Sequence, residues 1–318
     1  MRLLILGGTS FVGRAIAEEA LARGHELTLF SRGRTGSDLF PDVERRVGDR
    51  AAGDYQSLKG GSWDAVIDVS GYIPRHITEA ADVLEPGVGR YLFISTISVY
   101  DPTDPGGEPD EDAPRLAPER GTEVITGNTY GPLKVSCEDD LLDRFGDRAS
   151  IVRPGIVAGP HDPTDRFTYW VRRAAQSPNV ALPGRPDQPV QVVDSRDLAN
   201  LTVSMVEHAT PGIFNATGPV EPTTMAGLIA ACAEAAGATA EIMVVDPGSA
   251  VGYPLILPDP SDDVLFRRSS ARARSVGLTT TSLVTTAADT LAWDRDRGLP
   301  ELTVGPTDAQ HDALVGQG

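Results

Sequence analysis

The chain has 318 residues, 40% of them hydrophobic and 23% charged, enough to bury a large core as one α/β unit or two intimate lobes. Its formal net charge is −17, with the acids scattered along the chain, a surface that repels phosphate backbones and argues against nucleic acid as a partner. The longest apolar run near the start, LLIL, is too short for a membrane span or a signal-peptide core, so no membrane association and a cytoplasmic location are expected.

Leu3 to Leu6 predicts a short buried strand, Phe11 to Arg23 a helix stopped by Gly24, and Glu26 to Phe30 a second strand, together a βαβ unit. Between the first strand and the helix stand Gly7, Gly8, Thr9, Ser10, Phe11, Val12 and Gly13. Glycine permits the tight turn and lets the backbone approach a pyrophosphate, whose charge a helix N-terminus favours. A dinucleotide site is therefore expected here. The second strand runs into Ser31, Arg32, Gly33 and Arg34, without the acid that would grip ribose hydroxyls and repel a 2′-phosphate. A guanidinium there suits a phosphate, so NADP(H) is expected in preference to NAD(H). After the third strand, Asp49 is placed to meet the adenine amino group, with Arg50 beside it; after the fourth, Val69, Ser70 and Gly71 run along the cofactor.

The runs WDAVIDVS, RYLFIST and ASIVRP read as further strands, separated by helices over Ile73 to Leu84 and Tyr130 to Phe145. Such alternation implies a doubly wound parallel sheet of the Rossmann type with helices on both faces. Asp101 to Glu123 interrupts it with five prolines and many acids, and reads as a long loop, either a solvated insertion or a flap over a substrate pocket. Past Arg153 the elements are less regular: LPGRPDQPVQVVDSRDLANLTVSMV and GIFNATGP predict more strands and a helix, and residues 305–318 are expected to be loosely held. We divide the chain into a Rossmann domain, 1–157, and a substrate-binding lobe, 158–318, some of whose elements return to the first sheet. Cys137 and Cys232 are isolated and expected to be buried hydrophobes, and the five histidines have no metal-ligand spacing. His161 and Asp162 could line a pocket or simply shape a loop end.

Arginine outnumbers lysine 26 to 2, which makes Lys134 conspicuous. It lies four residues after Tyr130 on the same predicted helix face. A free phenol is a poor acid-base group at neutral pH, and a nearby ammonium brings its pKa toward the working range. Lysine is a compact charge that can also reach a cofactor ribose, which the wide fork of arginine suits poorly.

Taken together, GGTSFVG, STISVY, YGPLK, RPGIVAGPHDP, DSRDLA, FNATG and the closing ARARSVGL with LAW resemble, in that order, the extended branch of the short-chain dehydrogenase/reductase superfamily, the epimerase/dehydratase-like enzymes. The resemblance implies Tyr130 as the catalytic acid-base, Lys134 as its helper and Thr96 as the residue that hydrogen-bonds the reacting oxygen, with Ser95 and Ser98 close by. It adds Pro154 to the cofactor-binding residues, and a homodimer through the Tyr130 helix is common in the family. The activity implied is hydride transfer to or from a carbonyl or secondary alcohol of a small metabolite. Alternatives are epimerisation or dehydration of a nucleotide sugar with NAD(P) retained, or a non-catalytic NAD(P)-binding scaffold or sensor. The chain departs from sugar-nucleotide enzymes at Ile156, Val157, Val190, Gln191 and Val192, where polar contacts to a diphosphate are usual. A less charged substrate is expected, with Arg166, Arg172, Arg173 and Arg185 left as a conceivable diphosphate clamp.

Overall fold

A computed structural model describes residues 1–103, 109–246, 248, 252–257 and 259–316. In chain order the elements are β1 (Arg2–Leu6), α1 (Phe11–Ala22), β2 (Glu26–Ser31), β3 (Glu44–Val47), β4 (Trp63–Asp68), α2 (Pro74–Leu84), β5 (Val88–Ile94), α3 (Tyr130–Phe145) and β6 (Ala149–Pro154). There follow β7 (Ile156–Ala158), α4 (Arg166–Gln176), β8 (Asn179–Leu182), β9 (Pro189–Val190), β10 (Val192–Asp194), α5 (Ser195–Glu207), β11 (Gly212–Ala216) and β12 (Thr223–Thr224). The last are α6 (Met225–Ala235), β13 (Glu241–Val244), α7 (Ala271–Ser275), α8 (Leu283–Asp296) and α9 (Asp308–Val315).

Two compact units share the chain, and they are interleaved in sequence. The first takes Met1–Gly155, Ser195–Thr217 and Arg268–Thr279; the second takes Ile156–Asp194, Gly218–Arg267 and Thr280–Gly318. In the first, seven strands form one sheet in the order β11-β6-β5-β4-β1-β2-β3. Every pairing is parallel. Leu3 to Leu6 is buried on both faces, which is why that strand reads as a continuous apolar run instead of alternating. Helix α1 packs on α5 and α2 on α3. On the α2/α3 face, Leu4, Leu6, Val66 and Phe93 meet Ile77 and Leu141. The winding direction changes between β1 and β4, and in open α/β sheets ligands bind beyond the strand ends at such a reversal.

The second unit builds its own core on α4, with Phe167, Trp170, Val180, Leu182, Leu228 and Leu291 packed together. Its strands pair two by two: β10 with β7, β12 with β9 and β13 with β8. The chain end is more ordered than its composition predicts. Thr307 and Gln310 form a reciprocal capping box at the start of α9, and the buried His311 accepts the Ala181 N–H through Nε2 at 3.2 Å. Residues 317–318 lie outside the described residues. Among the described residues no helix is long and apolar enough to cross a membrane.

Candidate active site

The glycine turn sits at the C-terminal end of β1. Gly7 has φ +96°, a conformation that favours glycine, and a Cβ on Gly13 would lie 2.0 Å from the Gly7 carbonyl oxygen, so no side chain fits there. Helix α1 begins after Ser10, whose side chain makes no capping bond, and its first turn holds no acid. Its leading N–H groups are therefore left for an external acceptor, and the dipole adds positive potential. This donor set fits the pyrophosphate of a dinucleotide. Thr9 is buried in the turn.

At the end of β2, Ser31 Oγ accepts the Gly33 N–H at 3.2 Å and turns the chain. Arg32 and Arg34 are exposed, and neither has an ion-pair partner among the described residues. Asp49 caps the short turn after β3 by accepting the Ala51 N–H at 3.1 Å. Arg50, expected from chain order to lie along the cofactor, instead turns its side chain inward. Its Nη1 and Nη2 grip the buried Asp68 at 2.6 and 2.8 Å, Nη1 also reaches Ser70 Oγ at 2.9 Å, Nη2 the His76 carbonyl at 2.7 Å and Nε the Tyr55 hydroxyl at 3.2 Å. All five N–H donors are thus taken up by the protein.

The end of β5 and helix α3 are locked together. Lys134 is buried, and its Nζ donates to the carbonyls of Gly71 and Ile94, both at 2.8 Å, above the face of Phe93 at 3.9 Å. Burial pushes its pKa down to about 8. Two of its three N–H donors serve strand ends, leaving the third for a ligand or for the Tyr130 phenol. Tyr130 is the half-buried first residue of α3, its N–H donating to Thr126 at 3.0 Å. The next residue, Gly131, lies so near the turn after β5 that a Cβ would come within 2.1 Å of the Ser98 carbonyl oxygen. That close approach brings the start of α3 against the turn carrying Thr96. Thr96 Oγ accepts the Ser98 N–H and donates to Ser98 Oγ, both at 3.1 Å, and Ser98 itself is exposed. Ser95 is turned away: its hydroxyl donates to the buried Glu138 at 2.6 Å. Pro154 ends β6 beside Ala216 of β11.

Chain order gave no sign of the charge network behind this site. Glu138 takes Arg153 Nε and Nη2 at 2.9 and 2.7 Å and Arg115 Nη1 at 3.1 Å, and Arg153 also reaches the Tyr100 hydroxyl at 2.8 Å. The acidic proline-rich segment is fastened to this network. Glu111 is buried, accepts the Asn215 N–H at 2.7 Å and gives its carbonyl to Arg153 at 3.2 Å. Residues 109–116 are thus tied down, while 104–108, which the flap reading also covers, lie outside the described residues. The signal that could have found Glu138 is its spacing four residues after Lys134 on one helix face.

In the second unit, Val157, Val190 and Val192 are buried. Arg172 is bidentate to Asp294 at 2.7 and 2.8 Å, Arg173 pairs with Asp308 at 2.7 Å, and Arg185 pairs with Asp263. Of the four arginines considered as a clamp, only Arg166 makes no salt bridge among the described residues; its Nε meets Thr164 Oγ at 3.2 Å and its charge acts on Asp162. His161 adopts φ +71° and stacks edge-on against Trp293 at 5.5 Å, and Asp162 accepts the Thr164 N–H at 2.8 Å. Among the described residues no three His, Cys, Asp or Glu side chains are grouped to hold a metal ion. Both cysteines are buried, and burial raises the Cys137 thiol to about 12.

Solved structures share this fold, and curated relatives share part of its sequence. The chain is 28% identical over 257 residues to the chloroplast stem-loop binding protein of 41 kDa b of Arabidopsis thaliana, covering 74% of this chain but 63% of that protein, less than two thirds of its length. It is 25% identical over 286 residues to the epimerase family protein SDR39U1 of Bos taurus, covering 82% and 84% of the two. The fold matches UDP-glucuronic acid 4-epimerase of Bacillus cereus, solved with NAD, at TM-score 0.68, 15% identity and 93% and 99% coverage. It also matches dTDP-glucose 4,6-dehydratase of Bacillus anthracis, again with NAD, at TM-score 0.70, 12% identity and 94% and 98% coverage. The sequence profile of the NAD dependent epimerase/dehydratase family matches residues 3–217, and the chain belongs to that family.

Proposed function

We propose that the protein transfers a hydride between NADP(H) and a carbonyl or secondary-alcohol carbon of a small metabolite of low charge. The observation that carries this reading is the docking of α3, with Tyr130 and Lys134, onto the strand end that bears Thr96. When bound, the dinucleotide supplies hydride acceptance and donation. Tyr130 gives or takes the proton at the substrate oxygen, and the Lys134 ammonium favours the phenolate that accepts it. Thr96 turns its hydroxyl from Ser98 toward the same oxygen. The preference for NADP(H) rests on Arg32 and Arg34 at the end of β2, neither of which has an ion-pair partner among the described residues. Low substrate charge rests on the second unit, where three of the four candidate arginines already have carboxylate partners. A diphosphate without partners there would lose about 1.5–3 kcal/mol for each missing charge-assisted bond.

A second reading, epimerisation or dehydration of a sugar nucleotide with the dinucleotide retained, is favoured by the names of the structural neighbours. The stem-loop binding named for the Arabidopsis relative is not carried over, because a net charge of −17 opposes a phosphate backbone. An intact Thr96, Tyr130 and Lys134 set argues against a scaffold without turnover.

A thermal-shift and NMR turnover screen should separate the two enzymatic readings, using small ketones, secondary alcohols and UDP- or dTDP-sugars with NADP or NAD. On the substrate found, Tyr130→Phe should lower turnover by about 10²-fold with cofactor affinity nearly unchanged. Full activity of that variant would remove Tyr130 from the chemistry. Arg32→Ala should weaken NADPH more than NADH in calorimetric titration. Stabilisation by a UDP-sugar, lost on Arg166→Ala, would transfer the assignment to the second reading.

A further inference from the structure

We propose that Arg50, Asp68 and Ser70 form a brace that holds the glycine turn in its dinucleotide-binding shape, making Arg50 a positioning residue and not a cofactor ligand. The proposal rests on reading that turn as the pyrophosphate cradle. Asp68 is fully buried and accepts four hydrogen bonds, two from Arg50, one from the Tyr91 hydroxyl at 2.7 Å and one from the Ser70 N–H at 2.9 Å. Burying such a pair costs desolvation that apolar residues of the same size would avoid, so packing alone gives no reason for it.

What the pair provides is direction. Ser70 Oγ accepts from Arg50 and donates to the carbonyl of Leu6 at 3.1 Å, the residue before the turn. The Val69 N–H reaches the same carbonyl, also at 3.1 Å. A Cβ on Gly7 would come within 2.9 Å of Ser70 Cβ, and one on Gly13 within 3.0 Å of Val69 Cγ2. The turn therefore lies directly on Val69 and Ser70, and one hydroxyl links it to a charge pair whose cation comes from the loop after β3. Tyr91 contacts the same carboxylate from β5, within the core cluster of the sheet.

This asymmetry supplies the test: calorimetric titration of the full chain with NADP⁺ and NAD⁺, alongside thermal unfolding. Ser70→Ala should weaken both cofactors about tenfold, the scale of one lost hydrogen bond at the cradle, because both carry the same pyrophosphate. Tyr91→Phe removes a bond to Asp68 from the β5 side, and should lower Tm at least as much while leaving both Kd values within about twofold. Arg50→Lys keeps the charge but loses the fork; it should weaken binding in the natural background and add nothing to Ser70→Ala. Should Arg50→Lys not fold, the Ser70 and Tyr91 variants decide alone. Unchanged affinity in Ser70→Ala, or equal weakening by Tyr91→Phe, would overturn the brace and leave the cofactor reading standing. Failure of the unaltered chain to bind either dinucleotide would overturn the cradle reading and the brace with it.

Discussion

Lys134 shows how one side chain can be costly and useful at once. Its ammonium is buried among two carbonyls and a phenyl face, and the lost hydration lowers its pKa from 10.5 to about 8. The unfolded chain keeps that proton up to about pH 10.5, whereas the folded chain begins to lose it near pH 8. In that window the unfolded state binds more protons, so this residue makes stability rise with pH. Lys134→Met, which keeps the length and apolar stem, should abolish that contribution. Urea unfolding of both proteins at pH 8 and pH 10 measures it, and an identical pH dependence in the two would show that burial does not lower the Lys134 pKa. Lysine was legible as an oddity in an arginine-rich chain, and its spacing from Tyr130 put the two on one face of α3. Arg50 was not legible in the same way. Chain order places it beside the cofactor, while its direction is decided by Asp68, which is 18 residues away and inside the sheet.

At the scale of elements, the amphipathic spacing of Tyr130 to Phe145 predicted α3 with both ends where the structure has them. The parallel sheet was equally readable, because strands buried on both faces appear as plain apolar runs. The loop of Asp101 to Glu123 was read only by composition, and composition cannot say which acid is buried. Glu111 is held by Asn215, 104 residues away, and nothing local distinguishes it from Asp110 or Asp112. The pair of Glu138 and Arg153 fastens α3 to β6 and, through Ser95, to the end of β5. Glu138→Ala leaves the Arg153 guanidinium buried without its carboxylate and should cost about 3–5 kcal/mol. Ser95→Ala removes one bond to a charged acceptor and should cost about 1.5–3 kcal/mol. Chemical denaturation of the two variants checks the order, and a smaller loss for Glu138→Ala would mean that α3 is held chiefly by its apolar face.

At the scale of the molecule, the first unit is assembled from three separated stretches of sequence, and its sheet is completed only by the second of these stretches, Ser195–Thr217. Strand β6 is buried along its whole length, and its outer neighbour β11 is not made until residue 216. On a ribosome, at about 5–20 residues per second, the nascent chain therefore waits on the order of several seconds with a finished apolar strand lacking its cover. An unpaired strand edge of that composition is adhesive. A fragment ending at residue 157 would keep the glycine turn, Thr96, Tyr130 and Lys134, but it should self-associate, and sedimentation would reveal this; a monodisperse fragment would show that β6 tolerates an open edge. The late arrival of β11 thus leaves the outer edge of the sheet to be closed only once residue 216 is made, and puts the interval most in need of a chaperone between the synthesis of residues 155 and 216.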